Sequence, residues 1–363
     1  MKFTHIVLRL KVYPSRSGLL CTKLQLSVSL KVMKIDCHVH LFCLSKESGG
    51  RTRLGLLGDM ARPIVARTLD IHHAKGDKDR ESCYVDRLVE QVNTSELDRV
   101  VLLSFDKIYA KDGTVFEKKT RFHVPNRYTK QAVDRHPGVF LFGASVHPYR
   151  QDAVDALHRV KAEGAVLIKL LPNTHNFDPA DNALVPYYRA LADLHLPLLV
   201  HGGYEHTIPV SNQQFGDPAR FRLPLDTGVT VIIAHGGSAG RFHLRETFGA
   251  ALQLISTYPN CFGDTAALCN YWRSHYLSAL KSPDLLERKY GVRMADPFKK
   301  FVHGSDFPIP IHPRFFGAGA ARRLKDNPGV KSNRLQADIA LKRILDIPES
   351  CLTRAFEKIG IGR

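Results

Sequence analysis

After residue 34 the sequence alternates, eight times over, between a short apolar run and a helical or polar stretch. The runs begin near residues 35, 99, 139, 165, 197, 229, 260 and 300. Several are almost wholly apolar, as in Arg99-Val-Val-Leu-Leu-Ser104 and Val229-Thr-Val-Ile-Ile-Ala-His235. Strands buried on both faces read this way, because neither face needs a regular polar register. Helical patterns fall between them at Tyr84–Asn93, Asn126–His136, Asp152–Glu163, Asn182–Leu194, Asp217–Thr227 and Arg245–Tyr258, and closing helices at Lys331–Leu345 and Glu349–Ile359. Alternating strands and helices predict a parallel sheet. Eight such units predict an α/β fold of the (β/α)8 TIM-barrel type, with long βα loops and C-terminal helices. An open doubly wound sheet is the rival, but no Gly-x-Gly-x-x-Gly turn follows the first strand.

Four connections are too long to be simple links: 43–83, which is polar and Arg-rich with a short helix expected over Leu54–Leu69, then 107–124, 266–299 and 307–330. Connections of such length are usually lids or binding segments, and they would set substrate identity. The segment 266–299 reads as a helical insertion and carries the single tryptophan, Trp272.

Residues 1–33 form a basic N-terminal extension ahead of the domain at 34–363. Two alternating segments flank Pro14-Ser-Arg-Ser-Gly18, which reads as a β-hairpin. No continuous apolar core follows the charged start, so the segment is not a convincing signal peptide. A competing reading makes Met33 the natural start and the extension translated upstream sequence. That reading is favoured slightly, because the first barrel strand begins directly after Met33.

The net charge is +17, and it falls to +10 once the seven basic residues within 1–34 are set aside. A basic balance favours anionic partners. No basic stripe interleaved with aromatics is present, so a solvated basic surface is the better reading than a nucleic-acid footprint. The seven cysteines are odd in number and include no Cys-x-x-Cys. This argues against a disulfide framework or a structural zinc knuckle and for a reducing, cytoplasmic location. No apolar run reaches the ~20 residues of a membrane span.

Chemistry-bearing residues gather at the C-terminal ends of the runs, the face that carries the active site in a barrel. Alternation along Asp36-Cys-His38-Val-His40 places Asp36, His38 and His40 on one strand face. Two imidazoles so placed can share a metal ion, and imidazole suits zinc, copper, iron and nickel. The fourth run contains Lys169. The fifth ends in His201-Gly-Gly, the sixth in His235-Gly-Gly and the eighth in Asp306-Phe-Pro. His147 ends the third run and Asp264 the seventh, both as pocket candidates. Asn173, His175, Glu205, His206 and Arg241 lie on loops of the same face, where a solvated residue is the commoner outcome.

The ordered set Asp36-x-His38-x-His40, His201-Gly-Gly, Ala234-His-Gly-Gly and Gly304-Ser-Asp306-x-Pro308 resembles the amidohydrolase superfamily. Within it, the chain resembles the amidohydrolase-related (amidohydrolase 2) family, which includes aminocarboxymuconate-semialdehyde decarboxylase and related hydrolases. The resemblance implies that His38, His40 and His201 ligate one divalent metal, usually zinc, with Mn2+ or Fe2+ as alternatives. It makes Asp306 the fourth ligand or a close neighbour and the acid–base group, and it sets His235 beside the water or substrate. A bound zinc lowers the pKa of water toward ~7 and polarises a carbonyl. In dinuclear members of the superfamily a carboxylated lysine on strand four bridges two metals. The narrower family resembles mononuclear sites, so Lys169 reads better as a substrate-contacting or structural residue than as a bridge.

The leading functional expectation is a metal-dependent hydrolase acting on a C–N or C–O bond of a small anionic substrate. The alternative is non-oxidative decarboxylation at the same metal. A barrel-type nuclease ranks low, because Lys169 stands where such enzymes carry a metal-binding Glu, and so does a non-catalytic binding protein, for which a preserved ligand set would be an odd relic. A homodimer is plausible on general grounds. If Met33 is the natural start, protein made from its native gene yields no peptide from before Met33. Peptide mass mapping that recovers one overturns that start.

Overall fold

The computed structural model describes residues 5–14, 20–29, 32–53, 63, 66–67, 71–238, 247–271, 273–327 and 329–362. The chain divides into two compact units, Met1–Met33 and Lys34–Arg363. In the first, β1 (His5–Pro14) pairs antiparallel with β2 (Leu20–Ser29), in register from His5 opposite Ser29 to Pro14 opposite Leu20.

The second unit is the barrel. Its wall consists of β3 (Ile35–His40), β5 (Arg99–Leu103), β7 (Phe140–Ala144), β8 (Ala165–Leu170), β9 (Leu198–His201), β10 (Val231–Ala234), β11 (Cys261–Asp264) and β12 (Phe301–Val302), each parallel to the next in chain order. Closure runs through the segment after β12. The amide of Cys37 donates to the His303 carbonyl at 3.0 Å, that of Asp306 to the His38 carbonyl at 3.0 Å, and that of His40 to the Phe307 carbonyl at 2.9 Å. The first strand is thereby joined to the last.

Two short strands lie outside the wall. β4 (Arg51–Thr52) and β6 (Phe122–His123) pair antiparallel and tie the connection after β3 to the one after β5. Helices pack on the outside of the wall. Leu157, Leu191, Leu252 and Ile255 from the helices Ala153–Ala162, Val185–Asp193 and Phe248–Thr257 join Ile168, Val200, Val231 and Ile233 from the strands in one buried core. On the other flank the helix Asp77–Asn93 buries Tyr84, Val85, Leu88 and Val92, spacings that keep one helical face inward. Among the described residues no helix is long and apolar enough to cross a membrane.

The structure departs from the sequence reading in several places. A residue is added between Asp36 and Val39 relative to β5, so the register shifts there and strict alternation fails. The last strand holds only Phe301 and Val302, because the chain after it turns to close the barrel and Asp306 adopts φ 63°. The insertion at 266–299 is helical as the sequence reads, with helices Ser274–Leu280 and Pro283–Tyr290, whereas the connection 307–330 holds the unforeseen helix Ala318–Lys325. The expected helix over Leu54–Leu69 lies largely outside the described residues, as does Trp272.

The short β12 leans on the closing helices. Arg354 is buried and one of its amino groups donates to the carbonyls of Phe298 and Phe301, both at 2.6 Å. Arg354→Met would leave both carbonyls without that donor in a dry setting, each at a cost of about 1–3 kcal/mol. We expect the variant to lose about 2–4 kcal/mol of stability, read as a lowered midpoint of urea unfolding. An unchanged midpoint would show that Arg354 does not brace the strand.

Candidate metal centre

Three side chains converge where the barrel closes. One ligand atom each from His38, His40 and Asp306 falls within 4.8 Å of the other two. His40 Nε2 lies 3.1 Å from Asp306 Oδ1, and His38 Nε2 lies 3.5 Å from the same oxygen. The imidazoles of His38 and His40 have centroids 5.0 Å apart. Asp306 reaches them because the backbone hydrogen bonds of closure set its own peptide against that of His38. Burial pushes the Asp306 carboxyl up, but His38 and His40 beside it outweigh that and hold it well below the usual carboxylate range.

Asp264 organises the centre from the end of β11. One oxygen lies 2.8 Å from His38 Nδ1, and the other accepts from the backbone amides of His235 and Ala266. With Nδ1 engaged, His38 presents Nε2 toward Asp306 and Lys169. A carboxylate behind a ligating histidine fixes its tautomer and ring orientation. Lys169, on β8, is buried, and its side-chain nitrogen sits 3.2 Å from His38 Nε2; burial depresses its pKa.

His201 and His235 stand next to the trio rather than within it. His201 Nδ1 lies 3.3 Å from His235 Nε2 and 3.5 Å from Glu205 Oε2. His201 Nε2 and His235 Nδ1 are buried and have no hydrogen-bond partner among the described residues. Burial lowers the pKa of both, that of His201 to about 4. Each therefore stays neutral and keeps a lone pair at physiological pH. His235 has φ 42°, followed by Gly236 at 61° and Gly237 at 71°. This left-handed run turns the backbone sharply after β10, and a Cβ at Gly237 would come 2.5 Å from that of Ala251.

The remaining sequence candidates divide. Glu205 is buried, and one of its oxygens accepts from the amides of Thr207 and Ile208, so the carboxylate both shapes its loop and faces His201. Asn173 pins that loop instead: its carbonyl accepts from Ser211 and Asn212, and its amide reaches Gln213. His147 uses both ring nitrogens on backbone groups, those of His175 and Tyr149, and His175 Nδ1 accepts from the Leu171 amide. These two histidines are wall-bracing residues in this structure, and neither falls in the metal-binding group among the described residues. Asp36 does not face the centre as alternation suggested. Its carboxylate accepts from the amides of His38 and Ser305, and the extra residue in β3 accounts for the difference. Arg241 lies outside the described residues.

One residue escaped the sequence reading altogether. Arg273, in the insertion after β11, donates from Nε to Ser238 Oγ at 3.0 Å. Its charge lowers the pKa of His201, Glu205, His235 and Asp306, so it stands within electrostatic range of the centre. Among the described residues it has no carboxylate partner. No strand-end pattern could have marked it, because it sits in an insertion whose path only the fold reveals.

The donor set fits a divalent ion. Two imidazoles and a carboxylate meet at one point, and a third imidazole, His201, offers a buried nitrogen with no hydrogen-bond partner among the described residues. Mixed nitrogen and oxygen donors suit zinc, manganese or iron.

The amidohydrolase family (amidohydrolase 2) matches residues 35–337. No curated protein matches the sequence significantly. Among solved structures, a probable 2-pyrone-4,6-dicarboxylic acid hydrolase from Acinetobacter baumannii, crystallised with citric acid, superposes with a TM-score of 0.52 at 15% identity, over 90% of this chain and 98% of its own. The apo form of the Metarhizium anisopliae IDCase gives 0.52 at 13% identity, over 92% and 98%. The 5-carboxyvanillate decarboxylase of Sphingomonas paucimobilis gives 0.51 at 12%, over 91% and 98%. At these identities the likeness establishes the barrel fold.

If Asp264 orients a metal-ligating His38, Asp264→Asn should weaken zinc binding by about 10–100-fold, and His40→Ala should remove bound metal. Elemental mass spectrometry of purified protein, followed by competition with a zinc chelator, checks both. Unaltered metal content in His40→Ala would rule the trio out as the binding site.

Proposed function

Because the chain belongs to the amidohydrolase family and gathers His38, His40 and Asp306 where its barrel closes, we propose that it is a metal-dependent decarboxylase of a small carboxylic acid. The observation that carries this reading is the convergence of that trio within electrostatic range of Arg273, a cation with no carboxylate partner among the described residues. Such a site offers two positive anchors for an anionic substrate. Structures that share the fold include enzymes named for carboxylic acids, among them a decarboxylase, which supports the choice.

In this reading His38, His40 and His201 hold one divalent ion, with Asp306 as fourth ligand or immediate neighbour. When bound, the ion supplies Lewis-acid polarisation at the substrate oxygens. Arg273 presents a planar fork that can take a carboxylate through two parallel hydrogen bonds. Buried His201 and His235 keep water from the reacting end. Decarboxylation breaks the C–C bond to the carboxyl group. Carbon dioxide leaves, the electron pair stays on carbon, and Asp306, ionised at rest, takes up a proton from solvent and passes it to that carbon to form the new C–H bond. His235, neutral and buried, can donate to an oxygen that gains negative charge on the way.

Hydrolysis of a C–N or C–O bond is the second reading, and one observation favours it. Asp306 is held strongly in its ionised form by His38 and His40, the state needed to take a proton from an attacking water. Lys169 faces His38 Nε2 in either case, so a single ion per chain is retained.

Protein reconstituted with zinc or manganese should release carbon dioxide from hydroxybenzoic or related unsaturated carboxylic acids. Arg273→Gln should raise KM at least about tenfold with a smaller effect on kcat, the signature of lost binding rather than lost chemistry. A screen in which lactones or amides turn over and no acid loses carbon dioxide would install hydrolysis instead.

A further inference from the structure

Behind the metal centre, on the outer side of β3 and β12, lies a second polar cluster that the proposed chemistry does not use. It consists of Asp36, His303, Asp338 and Lys342, none more than 4% exposed. Asp338 and Lys342 sit one turn apart on the helix Arg334–Ile344, with Lys342 Nζ 2.5 Å from Asp338 Oδ2. The same ammonium donates to the carbonyl of Gly304 at 2.7 Å and stands 3.4 Å from His303 Nδ1. A lysine buried this deeply is costly to hold in charged form unless it is paired and its donors are satisfied. Burial works against the charge, but Asp338, with Cys269 and Asp36, outweighs it and keeps Lys342 protonated. His303 Nε2 in turn lies 3.9 Å from Asp36 Oδ2 and 4.0 Å from Asp338 Oδ2.

The cluster is bonded to the backbone at three points: His38 and Ser305, whose amides donate to Asp36 at 3.0 Å each, and Gly304, whose carbonyl receives Lys342. One of these is the peptide of a candidate metal ligand. The other two are the residues directly before Asp306. Gly304 has no slack: a Cβ there would come 2.9 Å from the Cβ of His38 and 3.4 Å from the Asp264 carboxyl carbon. Any shift of this segment therefore moves Asp306 relative to His38, or presses on the carboxylate that orients His38.

We propose that Lys342 is a positioning residue for the metal centre. By holding the Gly304 carbonyl from the helix outside the barrel, it sets how far Asp306 stands from His38 and His40. The inference rests on the reading that this trio binds a divalent ion. It deepens that reading by assigning the geometry of the site to a helix that contributes no ligand.

The test uses the full chain loaded with Co2+, whose visible d–d bands report ligand number and geometry. Wild-type protein is measured first. If it takes up no Co2+, the metal reading fails and the role of Lys342 falls with it. If it does, Lys342→Met should shift or weaken those bands and lower Co2+ affinity by about 10–100-fold. Lys342→Arg, which keeps a charged donor, should recover the bands and most of the affinity. Far-UV circular dichroism verifies the fold of each variant. Should Lys342→Met not fold, Asp338→Asn decides, since it keeps the side-chain shape and removes the charge that holds the ammonium in place. A folded Lys342→Met, or failing that Asp338→Asn, with wild-type bands and affinity overturns the proposal.

Discussion

The backbone hydrogen bonds that join β3 to the segment after β12 are the constraint on which the rest depends. They are few, and they run between residues far apart in the chain: Cys37 to His303, Asp306 to His38, His40 to Phe307. Closing a long loop costs conformational entropy that grows only slowly with its length. The strands between contribute the apolar burial that offsets it. Once the seam is shut, His38, His40 and Asp306 have little choice of position, because the same peptides that make the closure carry the three side chains. The barrel and its polar centre are therefore not separable features. Loosening the seam opens the wall and disperses the ligands together.

Burial gives the centre its electrostatic character. His38, His201 and His235 all have their pKa lowered by desolvation. A set of imidazoles that stays neutral suits metal coordination, which needs lone pairs rather than protons. Asp306 differs because the rings of His38 and His40 face it directly. Asp36, in the wall behind, has no comparable partner, and burial pushes it up to about 7. Two aspartates on adjoining segments thus occupy opposite electrostatic regimes, and the difference comes from which neighbours the closure brings to each.

Much of the barrel could be read from the chain. Buried parallel strands announce themselves as short apolar runs, and each run here matches a strand of the wall. The strand ends that carry His38, His40 and Asp306 were legible for the same reason, since burying a polar residue at the end of an apolar run is costly unless a partner waits there. Three things were not. The added residue in β3 sends Asp36 into the wall, and a bulge leaves no signature in composition. His147 and His175 sit where pocket residues belong, but both ring nitrogens of His147 and Nδ1 of His175 are spent on backbone groups that only the tertiary fold supplies. Arg273 and Lys342 lie in an insertion and a closing helix, where position along the chain says nothing of what lies across the space. Long-range placement, not residue type, separates what was visible from what was hidden.

The small ribbon formed by β4 and β6 has a consequence for how such an enzyme can change. It fastens the connection after the first barrel strand to the one after the second, while Glu81, from the intervening helix, accepts from the amides of Leu44 and Ser45. The two connections are thereby a single mechanical unit. A lengthening or deletion in one cannot be absorbed locally, because the partner strand would lose its register. Variation over this part of the mouth is then expected to come in matched pairs, and a chimera that exchanges one connection between relatives would need the other to travel with it.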